Sequence, residues 1–298
     1  MKEMNYHPNM IARSLASKSS KIIGVVVTGS TEKAFHHPFF PEILSGIASV
    51  AYKNQYQILI SSVNSAKEEK QAVNQLAKGG ITEGIILLAS RVKEPSIPEL
   101  MKINFPFVVV GRPQNEREVN WVDNDNFAIG YDMTKHFIDT GHKRIAFLGA
   151  SSDFTVTLDR MKGYKKALTD AGLPVDEELI VEGKFVDDTG YDLTKALLDK
   201  KTMPTGIILC DDLLAFGAIK LLNERGIKVP EDIAVAGFNN VPLDEYFDPP
   251  LTSADIDAFS LGAKALDLLL DNMNSKSRSI NRAIIPAKLI IRKSTMKI

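Results

Sequence analysis

The stretch GIILCDDLLAFGAIKLLNERGIKVPEDIAVAGF, residues 206–238, decides the fold. GIILC (206–210) and IAVAGF (233–238) are short and apolar throughout instead of alternating, the pattern of strands buried on both faces. Between them, Asp212 to Arg225 has helical periodicity. Strand, helix and strand in that order form the unit from which parallel α/β sheets are made.

The same rhythm extends in both directions. Upstream, IIGVVV (22–27), YQILIS (56–61), GIILLA (84–89) and FVVVG (107–111) read as buried strands, separated by amphipathic stretches such as PEILSGIASVAYKN and KEEKQAVNQLAKGG. The second stretch ends in a Gly pair suited to a helix C-cap. The series restarts after VDNDN (122–126): a helix over 127–140, RIAFLGA, a helix through Gly172, IVEG, a helix around 191–200, and then the opening stretch. Two series of about four strands predict two doubly wound α/β lobes with parallel sheets. Ligands of such sheets sit beyond the carboxyl ends of the strands, so facing lobes make a cleft. A last helix (258–274) and a final strand, AIIPAKLIIRKS, are placed to return to the first lobe and cross back. The expected division is a leading segment at 1–20, a first lobe of 21–122 with about 255–284, and a second lobe of 123–254 with about 285–298.

Composition sets further bounds. The chain has 298 residues, 44% hydrophobic and 24% charged, enough for two buried cores. A single cysteine, Cys210, rules out an internal disulfide framework and fits a reducing compartment. No apolar run approaches the ~18 residues of a membrane span, and the N-terminus has no basic-then-apolar signal pattern. A cytoplasmic protein without a membrane partner is expected. No P-loop, G-x-S-x-G elbow, H-E-x-x-H or G-x-G-x-x-G occurs, and nothing singles out a catalytic carboxylate pair, so neither an enzyme nor a cofactor is expected. His36 and His37 are adjacent but lack a third spaced ligand, so no metal is expected.

The leading segment stands apart. The net charge is -1, yet residues 1–21 carry Lys2, Arg13, Lys18 and Lys21 against Glu3 alone. In NYHPNMIARSLASKSS (5–20), Pro8 biases His7 towards an extended conformation and Asn9 is a good N-cap for the helical NMIARSLAS. A helix of about nine residues is shorter than the ~12 to 15 at which isolated helices become marginally stable. It needs a partner, and its basic neighbours point to a phosphate backbone. The bland alternative is a basic leader with Leu15 packed on the core.

NYHPNMIARSLASKSSKIIGVVV resembles the hinge of the LacI/GalR family of bacterial repressors, in which Y-x-P-N-x-x-A-R-x-L-A joins a helix-turn-helix headpiece to a sugar-binding core. HPFFPEILSGI, GHKRIAFLGA, the R-x-x-G-Y of Arg160 to Tyr164, residues 212–238 and PPLTS agree in order along essentially the whole chain. FHHPFFPEIL, VDNDN, the T-x-D-R of Thr157 to Arg160 and the S-A-D-I of Ser253 to Ile256 are similar to the maltose-operon repressors of Gram-positive bacteria. The resemblance implies a periplasmic binding protein-like core and a homodimer whose hinge helices enter the minor groove of operator DNA. Leu15 would be the apolar wedge, Asn9 and Ala12 would face the groove floor, and Arg13 would lie near phosphates. A helix-turn-helix is expected before Met4 and is not in this sequence. A chain that starts inside the DNA-binding module is expected to bind operator poorly by itself.

The resemblance also places an effector site. Phe185 takes the position of an aromatic platform, Arg160 that of an arginine bridging ligand oxygens, and Asp211 that of a hydroxyl-binding Asn or Asp. Asn239 stands where several members have Asp, so GFNN departs from GFDD. His37, Phe39 and Arg112 are the first lobe's candidates. Other readings stay open: Phe185 as core, Arg160 paired with Asp159 or Asp153, Asp212 as cap of the following helix, Asp123 and Asp125 as structural residues at the lobe crossing, and Cys210 as an inert apolar residue. The implied function is a sugar-responsive repressor with maltose or maltodextrin as effector, either inducing or co-repressing. The alternative is a sugar-binding protein of a transport system, which shares the two-lobed core.

Overall fold

The computed structural model describes residues 19–28, 36–88, 91–151, 153–183, 189–200, 203–275 and 279–296. The first sheet holds β1 (Ile22–Thr28), β2 (Gln57–Val63), β3 (Gly84–Leu88), β4 (Phe107–Val110), β5 (Trp121–Asn124) and β11 (Arg282–Ile285), in the order β11-β5-β4-β3-β1-β2. The second holds β6 (Ile145–Ala150), β7 (Ile180–Glu182), β8 (Gly206–Leu209), β9 (Ala234–Phe238), β10 (Thr252–Asp255) and β12 (Lys288–Ile290), in the corresponding order β12-β10-β9-β8-β6-β7. All pairings are parallel except β10 with β12.

Helices cover both faces of each sheet. In the first lobe α1 (Phe39–Lys53) and α8 (Ala258–Asn274) cover one face, and α2 (Ala66–Lys78) and α3 (Ser96–Lys102) cover the other. β1 shows why its strands are apolar throughout: Ile23, Val25 and Val27 enter the core under α1 and α8, while Val26 enters the one under α2 and α3. In the second lobe α4 (Asn126–Asp139) and α5 (Thr155–Asp170) lie on one face, α6 (Gly190–Leu198) and α7 (Asp212–Glu224) on the other.

Among the described residues three helix pairs approach backbone to backbone, including α6 and α7, where a Cβ on Gly190 would lie 1.7 Å from Leu214 O. A Cβ on Gly46 of α1 would lie 2.0 Å from Phe259 O of α8, and one on Gly130 of α4 would lie 2.4 Å from Arg160 O of α5. Only glycine fits at those contacts.

The observed elements correct several expectations. β5 was not foreseen as a strand: WVDN is four residues long and half polar, although all four are buried. β2 is an edge strand and is not buried throughout, since Leu59 and Ile60 are exposed. The final strand is two strands, β11 in the first sheet and β12 in the second, broken at Pro286 and Ala287. The chain crosses between sheets after Asn124, Asp255 and Ile285, so those strand ends run a residue or two beyond 122, 254 and 284. The Asn124 carboxamide ties the three crossings together, donating to Ile256 O and to Ile285 O, each at 2.9 Å.

Candidate functional site

The parallel strands aim their carboxyl ends at the space between the lobes, and the residues that follow them meet there. Asp211, directly after β8 and Cys210, is the centre. It is the N-cap of α7, with Oδ1 accepting from Leu213 N–H at 2.8 Å. The cap is therefore Asp211 and not Asp212. Asp212 is fully buried one residue further on and accepts from Ser253 Oγ at 2.7 Å and Val241 N–H at 3.1 Å.

The other Asp211 oxygen, Oδ2, faces both lobes. Asn239 Nδ2 donates to it at 2.6 Å from the turn after β9. His37 Nε2 lies 2.6 Å away, reaching over from the first lobe. His37 Nδ1 accepts from Phe39 N–H at 3.2 Å, which places the ring proton on Nε2 and makes the imidazole the donor to Asp211. Asn239 has φ +106, a conformation Asn tolerates better than branched residues.

Arg160 projects from α5 and is buried. Its Nε donates to Asn126 Oδ1 and its Nη1 to Cys210 O, both at 3.0 Å, and its guanidinium lies 4.2 Å above the Phe238 ring. It pairs with neither Asp159 nor Asp153. Nη2 makes no hydrogen bond among the described residues, so a planar fork held on two sides leaves one nitrogen uncommitted there. Burial lowers the Arg160 pKa, opposed by the surrounding carboxylates Asp123, Asp211 and Asp212.

Asp123 supports this arrangement from beneath, accepting from Asn126 Nδ2 (2.9 Å), Asn124 N–H (2.8 Å) and Arg112 N–H (3.0 Å). Burial raises its pKa to about 6 against the pull of those donors. Arg112, after β4, uses its side chain across the cleft in an ion pair with Asp159, whose other oxygen accepts from Lys162 Nζ at 2.9 Å. Phe39 is half-buried on the first turn of α1, its ring centroid 5.2 Å from that of Phe40.

Of the residues expected in the site, the structure brings His37, Asp211 and Asn239 into contact and places Arg160 on Cys210, next to Asp211 in the chain. Arg112 joins the lobes beside them through Asp159. Phe185, Asn9, Ala12, Arg13 and Leu15 lie outside the described residues. Asp125 caps α4, accepting from Ala128 N–H at 2.9 Å. Burial raises the Cys210 thiol to about 12, so it is un-ionised at neutral pH. Sequence reasoning missed Asn126 and Phe238 as supports of Arg160, and Asp159 as the partner of Arg112. Phe238 gave no signal, being the last residue of an apolar run. Among the described residues no group of His, Cys, Asp and Glu could hold a metal ion, and no helix is long and apolar enough to cross a membrane.

The site offers paired donors and acceptors around a polar cleft with an aromatic edge, the complement of vicinal hydroxyls. Comparison with known proteins agrees with that architecture. Residues 134–295 match the model of the periplasmic binding protein-like domain. The chain is 32% identical to the HTH-type transcriptional repressor PurR of Pasteurella multocida, over 99% of this chain and 87% of that protein. It is 35% identical to the HTH-type transcriptional regulator MalR of Streptococcus pneumoniae, over 97% of this chain and 87% of that one. Two solved structures share the fold. The complex of transcriptional regulator CelR with cellobiose has 29% identity and a TM-score of 0.88, covering 98% of this chain and 88% of that one. A LacI family transcriptional regulator of Enterococcus faecium with bound ribose has 29% identity and a TM-score of 0.79, covering 92% of this chain and 98% of that one. These relatives are regulators and not enzymes, and the chain belongs to the LacI family of transcriptional regulators.

Proposed function

We propose that this regulator is a cytoplasmic, sugar-responsive repressor whose effector is maltose or a short maltodextrin, bound in the interlobe cleft. The observation that carries the reading is Asp211 Oδ2, which receives one donor from each lobe, His37 and Asn239, beside the single uncommitted nitrogen of Arg160. A sugar hydroxyl pair that accepts from Arg160 Nη2 and donates to Asp211 substitutes for the direct contact between lobes. Phe39 and, by resemblance, Phe185 supply apolar surface for the ring faces. The amide of Asn239 donates as well as accepts, so it tolerates a hydroxyl in either role.

Effector binding then changes the relative placement of the lobes. In a homodimer the first lobes of the two subunits shift together, the hinge helices separate, and Leu15, Asn9, Ala12 and Arg13 leave the operator. Such a switch needs only a few kcal/mol of difference in affinity between the two states. Large apolar side chains exposed on both lobes favour the dimer: Tyr52, Leu59 and Ile60 on the first, Leu243 and Tyr246 on the second. The cellobiose complex of CelR supports a disaccharide, whereas the bound ribose of the Enterococcus faecium regulator favours a monosaccharide.

The deciding experiment is calorimetric titration with maltose, maltotriose, glucose, galactose and a purine base, alongside sedimentation. Saturable binding of maltose or maltotriose by a dimer is the expected result. Binding of the purine alone overturns the sugar reading, and a sugar-binding monomer overturns the dimer. Replacing Leu15→Ala in the chain joined to its headpiece should weaken specific operator binding and leave sugar affinity in place; unchanged operator binding overturns the hinge assignment.

A further inference from the structure

Asp212 and Asp244 are two fully buried carboxyl groups of the second lobe. Asp212 opens α7. Asp244 sits in the single 3-10 turn Pro242–Glu245 that follows β9. Val241 N–H donates to Asp212 Oδ2 at 3.1 Å and Asp244 N–H donates to Val241 O at 2.9 Å, so the turn brings the Asp244 carboxyl beside that of Asp212. Asp212 is supplied with donors on both oxygens, Ser253 Oγ and Val241 N–H. Neither oxygen of Asp244 receives an N–H or O–H from the described residues.

A buried acceptor without a donor is costly, and two facing carboxylates in one low-dielectric site repel. One proton cures both faults. One proton shared by the pair lets one carboxyl donate to the other, while Ser253 Oγ and Val241 N–H hold Asp212 in place.

The surrounding charges do not replace that proton. Arg292 Nη1 comes only to 3.8 Å from Asp244, because its fork is committed to Leu251 O at 2.8 Å and Asn240 Oδ1 at 2.7 Å. Its Nη2 also faces Glu245 at 3.6 Å. Asp211 on the α7 cap and Glu245 on the turn add negative charge, and the charge of Asp212 is felt by the Arg160 guanidinium. Burial raises Asp244 to about 7, and it raises Asp212 as well, together with the charges of Asp244 and Asp211.

We propose that the Asp212–Asp244 carboxyl pair is a proton-operated latch: with one proton it clamps the 239–247 turn onto the start of α7, and with none it releases that turn. The turn carries Asn239 at its cleft end and leaves Leu243 and Tyr246 exposed at the other. Proton occupancy therefore links the cleft to a surface apolar patch, whatever ligand the cleft takes.

The sign follows from the raised pKa. The folded state holds the proton more tightly than the unfolded chain, so this contribution is complete below about 4. It is lost progressively as pH rises to about 7, by up to tenfold in the folding equilibrium constant per pH unit. The test compares the protein with Asp244→Asn, whose amide donates to Asp212 at every pH. The native protein should lose stability towards pH 7 relative to the variant, and the protection of amides 241–247, measured against their intrinsic exchange rates, should fall above pH 7 in the native protein only. Equal pH slopes in the two overturn the latch. If Asp244→Asn does not fold, carbon NMR of the aspartate carboxyls in the native chain decides: a carboxyl assigned to Asp212 or Asp244 and titrating near neutrality, separate from that of Asp123, supports the latch, and its absence overturns it.

Discussion

The two lobes share a strand order and differ in how firmly each holds its share of the cleft. In the second lobe Arg160 and Asp211 are buried, and Arg160 is fixed by Asn126, Cys210 O and the face of Phe238. In the first lobe His37, Phe39 and Arg112 are half-exposed and project from loops or a first helical turn. The crossings of the cleft pair a half-exposed cation or imidazole of the first lobe with a buried carboxylate of the second: Arg112 with Asp159, His37 with Asp211. If the cleft takes the proposed effector, the second lobe supplies the preorganised half of its site.

Each lobe also holds an acid pair of which one member follows its third strand. In the second lobe Asp212 follows β8 and its partner Asp244 follows β9. In the first, Glu94 faces Glu69, which accepts from Ser96 Oγ at 2.5 Å and has Arg91 Nη1 at 3.5 Å.

The largest predicted effect tests the asymmetry directly. Arg160→Met strands Asn126 Oδ1 or its flipped amide, together with Cys210 O, in a buried site, and should cost about 3 kcal/mol. Arg112→Met removes an ion pair whose guanidinium side is 41% exposed and should cost no more than about 1 kcal/mol. Urea denaturation measures both, and equal costs would break the distinction between an anchored and a closing half. Sugar affinity should vanish in the first variant and weaken in the second.

The next effect uses the glycine contacts. Gly46→Ala and Gly130→Ala each force a Cβ into the backbone of a partner helix, at a cost of about 1–3 kcal/mol. Only Gly130→Ala pushes on Arg160 itself, so it should weaken ligand binding at least severalfold, whereas Gly46→Ala should lower the melting temperature and leave affinity nearly unchanged. Calorimetry on both variants separates these outcomes.

A smaller, pH-resolved effect belongs to the first lobe's acid pair. Burial, and then the hydrogen bond and charge of Glu69, raise Glu94 to about 9. A raised carboxyl stabilises the fold at low pH and loses that contribution as pH climbs through the folded value. The native protein should therefore weaken between about pH 5 and 9 relative to Glu94→Gln. Urea midpoints at the two ends of that range are the check; parallel curves would mean that the pair does not hold a proton.

The sequence made some of this plain and hid the rest. Buried strands such as IIGVVV and GIILC announced themselves because both faces meet helices, and a parallel sheet allows no polar alternation there. β5 was hidden because its buried polar residues, Asp123 and Asn124, serve the crossings and not the core. The LacI/GalR resemblance named candidate positions, of which the structure brings His37, Asp211 and Asn239 into contact, while their wiring was not legible. Asp159 serves Arg112 instead of its chain neighbour Arg160, and Asp211, not Asp212, caps α7. Adjacent residues on a helix start point in different directions, and only the packing decides which one faces the cleft.

The smallest effect concerns the contact that closes the cleft. His37→Ala removes one donor from Asp211 Oδ2 and leaves the Asn239 amide and Leu213 N–H in place. The lost hydrogen bond is partly exposed, so stability should fall by about 1 kcal/mol or less. Its effect on affinity is more informative. A ligand hydroxyl that donates to Asp211 meets His37 at the same oxygen, so part of the lost contact is returned as relief from competition. Calorimetry should show a change of less than about tenfold, equivalent to 1.4 kcal/mol, for His37→Ala. Asp211→Asn, which removes the shared acceptor charge, should exceed that bound. If His37→Ala abolishes binding while Asp211→Asn tolerates it, the anchored half of the site lies in the first lobe, and the comparison between the lobes must be reversed.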